Sequence, residues 1–205
     1  MSHIPAEAKT ADRGVRKTRA AIHKAFTSLL LAGDLDSITV GDIAAKADVS
    51  RSTFYQHFSG KDEILCATMR PMLRPLADAV VGTGPSEMLT LVTDHFWTNR
   101  LLARAIFSGS TKAAVTRMLA DQIDERLADW TGPLPLRLIS VHLASAQLAL
   151  LEEWLSGRYR CTPAMLAEVL QASAYAAITG ISRCQSGPAP ELSKANIVAS
   201  VAGST

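Results

Sequence analysis

Between Val49 and Lys61 the chain carries Ser50, Arg51, Ser52, Thr53, Tyr55, Gln56 and His57 and no carboxylate. Hydroxyls, an amide, an imidazole and cations without a negative charge make a surface suited to phosphate oxygens and base edges. A surface that met only water would carry Glu and Lys instead. Upstream, Lys9, Arg13, Arg16, Lys17, Arg19 and Lys24 share a stretch whose sole acid is Asp12. Such a cluster suits phosphate contact, with a solvated leader as the alternative. Catalytic chemistry has no comparable footing. There is no Ser-His-Asp arrangement in a plausible context, no His-Glu-x-x-His and no phosphate-cradling glycine loop. His3, His23, His57, His95 and His142 are scattered and offer no metal site. The expectation is a protein that is not an enzyme and that needs no cofactor, metal or catalytic residue.

The elements that must hold these groups are helices. Ile22, Ala25, Phe26, Leu29 and Leu30 recur at helical spacing in a first helix from about Arg16 to Ala32, which Gly33 ends. Residues 1–12 are polar and expected to be mobile. Thr39 caps a short helix, with Asp42 at the reciprocal capping position and Val40, Ile43, Ala44 and Ala47 inward. After Asp48-Val49, Ser50 caps a second short helix that turns Phe54 and Phe58 inward. Ala44 is small enough for the two helices to cross closely, and Val49 plugs the space between them. This is a helix-turn-helix. Its outer face is Arg51, Ser52, Thr53, Tyr55, Gln56 and His57.

The segment from Ile38 to Leu65 resembles the DNA-binding domain of the TetR family of bacterial repressors. The resemblance rests on the run Val49-Ser50-Arg51-Ser52-Thr53-Phe54-Tyr55-Gln56-His57-Phe58, followed by Lys61-Asp62-Glu63-Ile64-Leu65. It is specific over about 50 residues from Arg16; the rest is similar to the family only in helix count and lengths. The resemblance implies that Ser50, Arg51, Ser52 and Thr53 open the recognition helix and reach base edges. Arg51 either takes a guanine through two parallel donors, or lies on a phosphate or in solvent. Tyr55, His57 and Lys61 match positions that hold the phosphate backbone. Thr39 matches one that binds phosphate beside the scaffold helix, and Lys17 or Arg16 adds another. Two residues depart from the family pattern. Asp48 replaces a turn Gly, and it tolerates the left-handed conformation better than most residues. Gly41 replaces a polar residue, either to let a backbone approach closely or as a tolerated weakness.

Further along, Lys61 opens a longer helix through Ile64, Leu65, Thr68 and Met69. Pro71 and Pro75 should kink or break it near residue 70. Gly82-Thr83-Gly84-Pro85 is a loop, and helical patterns resume at 86–99, 101–108 and 111–130. Two long helices follow, about Leu134 to Ser156 with Gly157 as stop, and a second with Thr162 as cap and Pro163 first, to about Ile181. The fold class is all-α, about nine helices: a three-helix DNA-binding domain over 13–60, a larger helical ligand-binding and dimerisation domain over 61–185, and a mobile tail rich in Ser, Ala, Gly and Pro over 186–205.

One helix-turn-helix reads too few base pairs, so a homodimer on a palindromic double-stranded operator is expected. Leu148, Leu151, Trp154, Leu155, Leu170, Ala174 and Ile178 are the candidate dimer face, the alternative being burial within the monomer. As in the family, helices between about 62 and 130 would surround a cavity for a small-molecule effector. Phe96, Trp97, Phe107 and Met118 could line it, with His95 and Arg100 as polar anchors; ordinary core packing and solvent exposure are the alternatives. Effector binding would move the helix from Lys61, with Pro71 as a fixed bend. The expected function is a ligand-responsive transcriptional regulator, a repressor released by the small molecule. The alternatives are a constitutive regulator or an activator without a ligand.

Bulk properties agree. Hydrophobic residues are 48% and charged residues 20% of 205, enough for a sizeable core. The net charge is +2. Three cysteines, far apart and odd in number, suit a reducing cytoplasm. There is no apolar signal-peptide core and no run of about 18 uncharged apolar residues, so no membrane partner is expected.

Overall fold

The structure, a computed structural model, describes residues 6–33 and 35–184, with side chains from Gly14 on. Nine α-helices and one 3-10 turn make up the described residues, and no strand occurs among them. Leader residues 1–5 and the expected tail over 186–205 lie outside them.

The first helix, α1, runs Ala6–Ala32 and so opens ten residues before Arg16. Ala6, Glu7, Ala8, Lys9 and Ala11 are strong helix formers, and they extend it into a stretch expected to be mobile. A 3-10 turn at Leu35–Ser37 follows, which the sequence pattern did not announce. Then come α2, Val40–Lys46, and α3, Arg51–Tyr55. Ile22, Phe26, Ile43, Ala44, Phe54 and Phe58 are all buried where these helices meet.

The next helix, α4, spans Lys61–Val80 without interruption and contains both Pro71 and Pro75. The expected break does not occur. Each proline removes one backbone hydrogen bond, but packing outweighs that loss. Met69, Leu73, Leu76, Ala77 and Val80 are buried along one side, and α4 packs against both α7 and α9. Beside the first proline, Gln122 Nε2 of α7 donates to the Arg70 carbonyl, 3.2 Å.

The remaining helices are α5 (Ser86–Thr98), α6 (Arg100–Phe107), α7 (Thr111–Arg126), α8 (Leu136–Leu155) and α9 (Pro163–Ser182). Four residues before the expected end, α7 stops, and Trp130 packs in the turn beyond it, its indole N–H donating to the Leu134 carbonyl. Gly157, at φ +76, ends the stretch after α8 as expected. Thr162 caps α9 by accepting from Met165 N, with Pro163 first. By length and composition α9 could cross a membrane. It also carries Glu168 and packs on α4, α5 and α8.

Candidate nucleic-acid interface

The two short helices are fixed by their caps. Asp42 N donates to Thr39 Oγ1 (3.2 Å), while Thr39 N and Oγ1 donate to Asp42 Oδ2 (2.9 and 2.6 Å). This closes the expected capping box. The Thr39 bonds, and then the charge of Arg51, hold the Asp42 carboxyl below its ordinary range. The Thr39 hydroxyl proton is thus committed to a carboxylate, and a phosphate would have to take its place. Asp48 in the turn has φ +55, the left-handed conformation expected there. Ser50 Oγ accepts from Thr53 N (3.0 Å) and lies 2.8 Å from both Ser52 Oγ and Thr53 Oγ1. Three hydroxyls therefore cluster at the start of α3.

On the outer face Arg51, Ser52, Tyr55 and Gln56 are exposed, while Thr53 and His57 are half-buried. Tyr55 is 57% exposed and stands edge-on to the fully buried Phe54, ring centroids 5.5 Å apart. The inner ring fixes the helix and the outer one is held out to solvent. Arg51 folds back over α2. Its Nη2 is 2.7 Å from where a Cβ at Gly41 would sit. The close approach that Gly41 permits is that of Arg51.

Lys61 is placed differently from the expectation. Its Nζ donates to the carbonyls of Leu35 (2.6 Å), Ile38 (3.0 Å) and Asp36 (3.3 Å). An ammonium has three hydrogens, and these carbonyls use them all. Here Lys61 clips α4 to the 3-10 turn and does not face outward as a phosphate ligand. Lys17 is exposed on α1. Arg19, named in the sequence only as one of the basic run, sits at the same face. Its guanidinium lies 4.4 Å over the Phe58 ring, and Nη1 donates to the His57 carbonyl, 3.0 Å. The signal was available, since Arg19 falls within the basic run of α1. Glu63 accepts from Ser59 N and Oγ, which holds its carboxyl below its ordinary range and closes the start of α4, where Gly60 has no side chain to do so.

The candidate effector residues do not gather in one place. His95, Phe96 and Phe107 line a small pocket of about 50 Å³ with Thr68, Met69 and Asn99, and the exposed His95 and Asn99 stand at its mouth. Phe96 and Phe107 meet edge to face at 5.1 Å. Trp97 instead stacks on Trp154 at 4.8 Å, and Arg100 lies over Trp97 at 5.5 Å. Met118, half-buried on α7, is not among the lining residues. Sequence reasoning missed Gln147, which is 4% exposed with neither amide atom partnered.

The candidate dimer residues are corrected by their burial. Leu148, Leu151, Trp154, Leu155, Leu170, Ala174 and Ile178 are at most 7% exposed within a single copy. They form its own core, because α8 lies on α6 and α7 and α9 on α4 and α5. The faces a second copy can reach are the opposite ones: Leu138, Val141 and Leu150 on α8, and Met165, Val169 and Tyr175 on α9.

The comparison with known proteins agrees with this geometry. Residues 22–68 match the model of the bacterial regulatory proteins of the tetR family. An HTH-type transcriptional regulator of Bacillus subtilis is 35% identical over 81 residues, a match spanning 38% of this chain but only 21% of that protein. An HTH-type transcriptional repressor of Mycobacterium tuberculosis is 24% identical over 137 residues, 65% of this chain and 72% of the relative. The crystal structure of a TetR transcriptional regulator from Streptococcus agalactiae superposes with a TM-score of 0.55 at 26% identity, covering 82% of this chain and 98% of that one. Residues 22–68, with the helix-turn-helix on α2 and α3, thus carry the DNA-binding segment of the tetR family, and the all-helical fold around them is similar to that of a TetR transcriptional regulator.

Proposed function

We propose that the protein is a ligand-responsive repressor that binds a palindromic operator as a homodimer and is released by a small molecule. One observation carries the DNA-binding part. The exposed face of α3 presents Arg51, Ser52, Tyr55 and Gln56 with no carboxylate from Val49 through Lys61. Residues 13–60 act as the reading head and 61–185 as the sensor and dimerisation part. Ser50, Ser52 and Thr53 lie toward base edges, with Tyr55, His57, Lys17 and Arg19 toward phosphates. Thr39 joins them only by giving up Asp42.

The homodimer is supported by what α9 leaves uncovered. It is apolar enough by composition to cross a membrane, yet only 28% of its most apolar window is buried. A second copy laid against Met165 and Val169, with Leu138 and Val141 of α8, would cover that surface in a bundle of four helices. The palindrome follows from the two-fold axis.

A second reading is favoured by one measurement. The pocket that the candidate effector residues line, about 50 Å³, has room for one or two waters and is a third of the ~150 Å³ that admits a benzene ring. That suits a regulator without a small ligand. Footprinting on the DNA upstream of its own gene separates the readings. The repressor reading expects a protected palindrome that small molecules release. Protection that no compound in a broad metabolite set releases leaves the constitutive reading standing, and no salt-sensitive affinity for any duplex removes both.

A further inference from the structure

Two helices that line the pocket, α4 and α6, also pack on α1, and one α4 side chain bonds to it. Thr68 of α4 lines the small pocket, and its Oγ1 lies 2.6 Å from Nε2 of His23 on α1. Thr68 donates its own hydrogen to the Ile64 carbonyl at 2.7 Å. In the contact with His23 it is therefore the acceptor, and the imidazole Nε2–H is the donor. Burial lowers the His23 pKa, which keeps the ring neutral at neutral pH. The residues beside the pair, Ile22 and Ile64, are fully buried, so the bond sits at the seam between α1 and α4.

The cavity behind Thr68 is apolar apart from Thr68, His95 and Asn99, and no carboxylate, Lys or Arg lines it. Its polar groups are a hydroxyl, an imidazole and a carboxamide, all of them hydrogen-bonding. A charged guest would lose its hydration without a counter-charge. Met69 and Met72 in the wall are unbranched and repack readily. At about 50 Å³ the pocket is a third of the ~150 Å³ that admits a benzene ring, so a guest of that size must displace the wall. Behind two sides of it, α5 is backed by α9 and α6 by α8. At Thr68 the wall is joined to α1 by a hydrogen bond, and lengthening that contact by about 1 Å breaks it.

We propose that Thr68 is the contact through which this cavity controls the DNA-binding head: a neutral, largely apolar effector wedged beside it draws the hydroxyl away from His23 and frees α1 from α4. This rests on the ligand-responsive reading above. It names the class of effector and the bond that senses it. A small alcohol, ketone or phenol fits the cavity's chemistry, and an organic anion or cation does not.

The test needs no effector. Ala103, 5% exposed on α6, lines the same cavity, and Ala103→Leu inserts three carbons into it as a built-in wedge. Thr68→Val removes the hydroxyl at constant shape. Operator affinity is measured on the footprinted duplex, folding by thermal melt, and the bond itself by NMR of the His23 ring nitrogens and the exchange of Nε2–H. Each single variant is expected to bind DNA about two- to tenfold more weakly, the range of one lost hydrogen bond. The double variant is expected to be no weaker than either single one, and the His23 signal to lose its protection in both. A folded Ala103→Leu protein with an unchanged His23 ring signal overturns the proposal, as does a double variant whose losses multiply. Should the Leu wedge unfold the protein, Ala103→Val, one carbon smaller, carries the same expectations. Should the wild-type protein bind no duplex, the repressor reading falls, and the response of the His23 ring to the wedge still decides whether the cavity reaches α1.

Discussion

The Arg51 guanidinium lies across Gly41, in the space a side chain at position 41 would fill. A residue of the recognition helix is thus parked on the scaffold helix, next to the Asp42 carboxylate that it helps keep ionised. Gly41→Ala should raise stability by up to about 1 kcal/mol through helix propensity while pushing Arg51 off its seat. Operator discrimination at the base nearest Arg51 should change. Urea melts read the first effect, and binding to single-base operator variants reads the second. Identical discrimination in the two proteins would mean that Arg51 reaches DNA independently of Gly41, or not at all.

Lys61 yields a prediction in salt. If it clips the 3-10 turn, Lys61→Met leaves three carbonyls without their charged donor and destabilises the head by about 1.5–3 kcal/mol. The slope of log K against log salt should stay as in the wild type. A slope reduced by about one per site would instead place Lys61 on a phosphate. Arg19→Met should lower that slope if Arg19 takes the role.

Acid should loosen the head through two carboxylates. Asp42 and Glu63 both have folded-state values below their ordinary 3.8 and 4.5. A lowered carboxyl stabilises the fold above its unfolded value, and that contribution is lost as pH falls through the folded one. Stability should therefore be insensitive to these groups near neutrality and decline below about pH 4.5. Asp42→Asn and Glu63→Gln should each flatten the decline, read by urea unfolding at pH 7 and pH 3. Unaltered acid sensitivity in the double variant would assign the decline to other groups.

The two sides of α9 should respond oppositely to charge. Val169→Arg places a cation on a residue 52% exposed in the single copy. It should yield a folded monomer in sedimentation, with operator affinity much reduced because one half-site alone is held. Leu170→Arg, at a position with no exposure, should unfold the protein. A Val169→Arg protein that sediments as a dimer would move the interface elsewhere.

Much of the fold was legible because its signals are local. Thr39 with Asp42, Ser50 with Thr53, and Thr162 with Pro163 each set a helix start within one turn of chain, and the structure bears these caps out. Inward Phe54 and outward Tyr55 follow from helical period alone. Pro71 misled because a local rule met a nonlocal force: the buried face of α4 outweighs two missing backbone bonds.

What remained was decided across the chain. The apolar stripe of α8 and α9 is plain in the sequence, but period cannot say whether the same molecule or its copy covers it; packing on α4 to α7 assigned the inner residues to the protomer. Lys61 looks like any surface cation until the 3-10 turn and Ile38 just after it, 23 to 26 residues earlier, bring three carbonyls to it. The pairing of His23 with Thr68, 45 residues apart, exists only once α1 and α4 cross. Sequence determined which residues form helices and which face is polar, because those depend on neighbours three or four positions away. Tertiary structure alone decided which polar groups find each other, because a hydrogen bond is set by distance in space and carries no trace of itself along the chain.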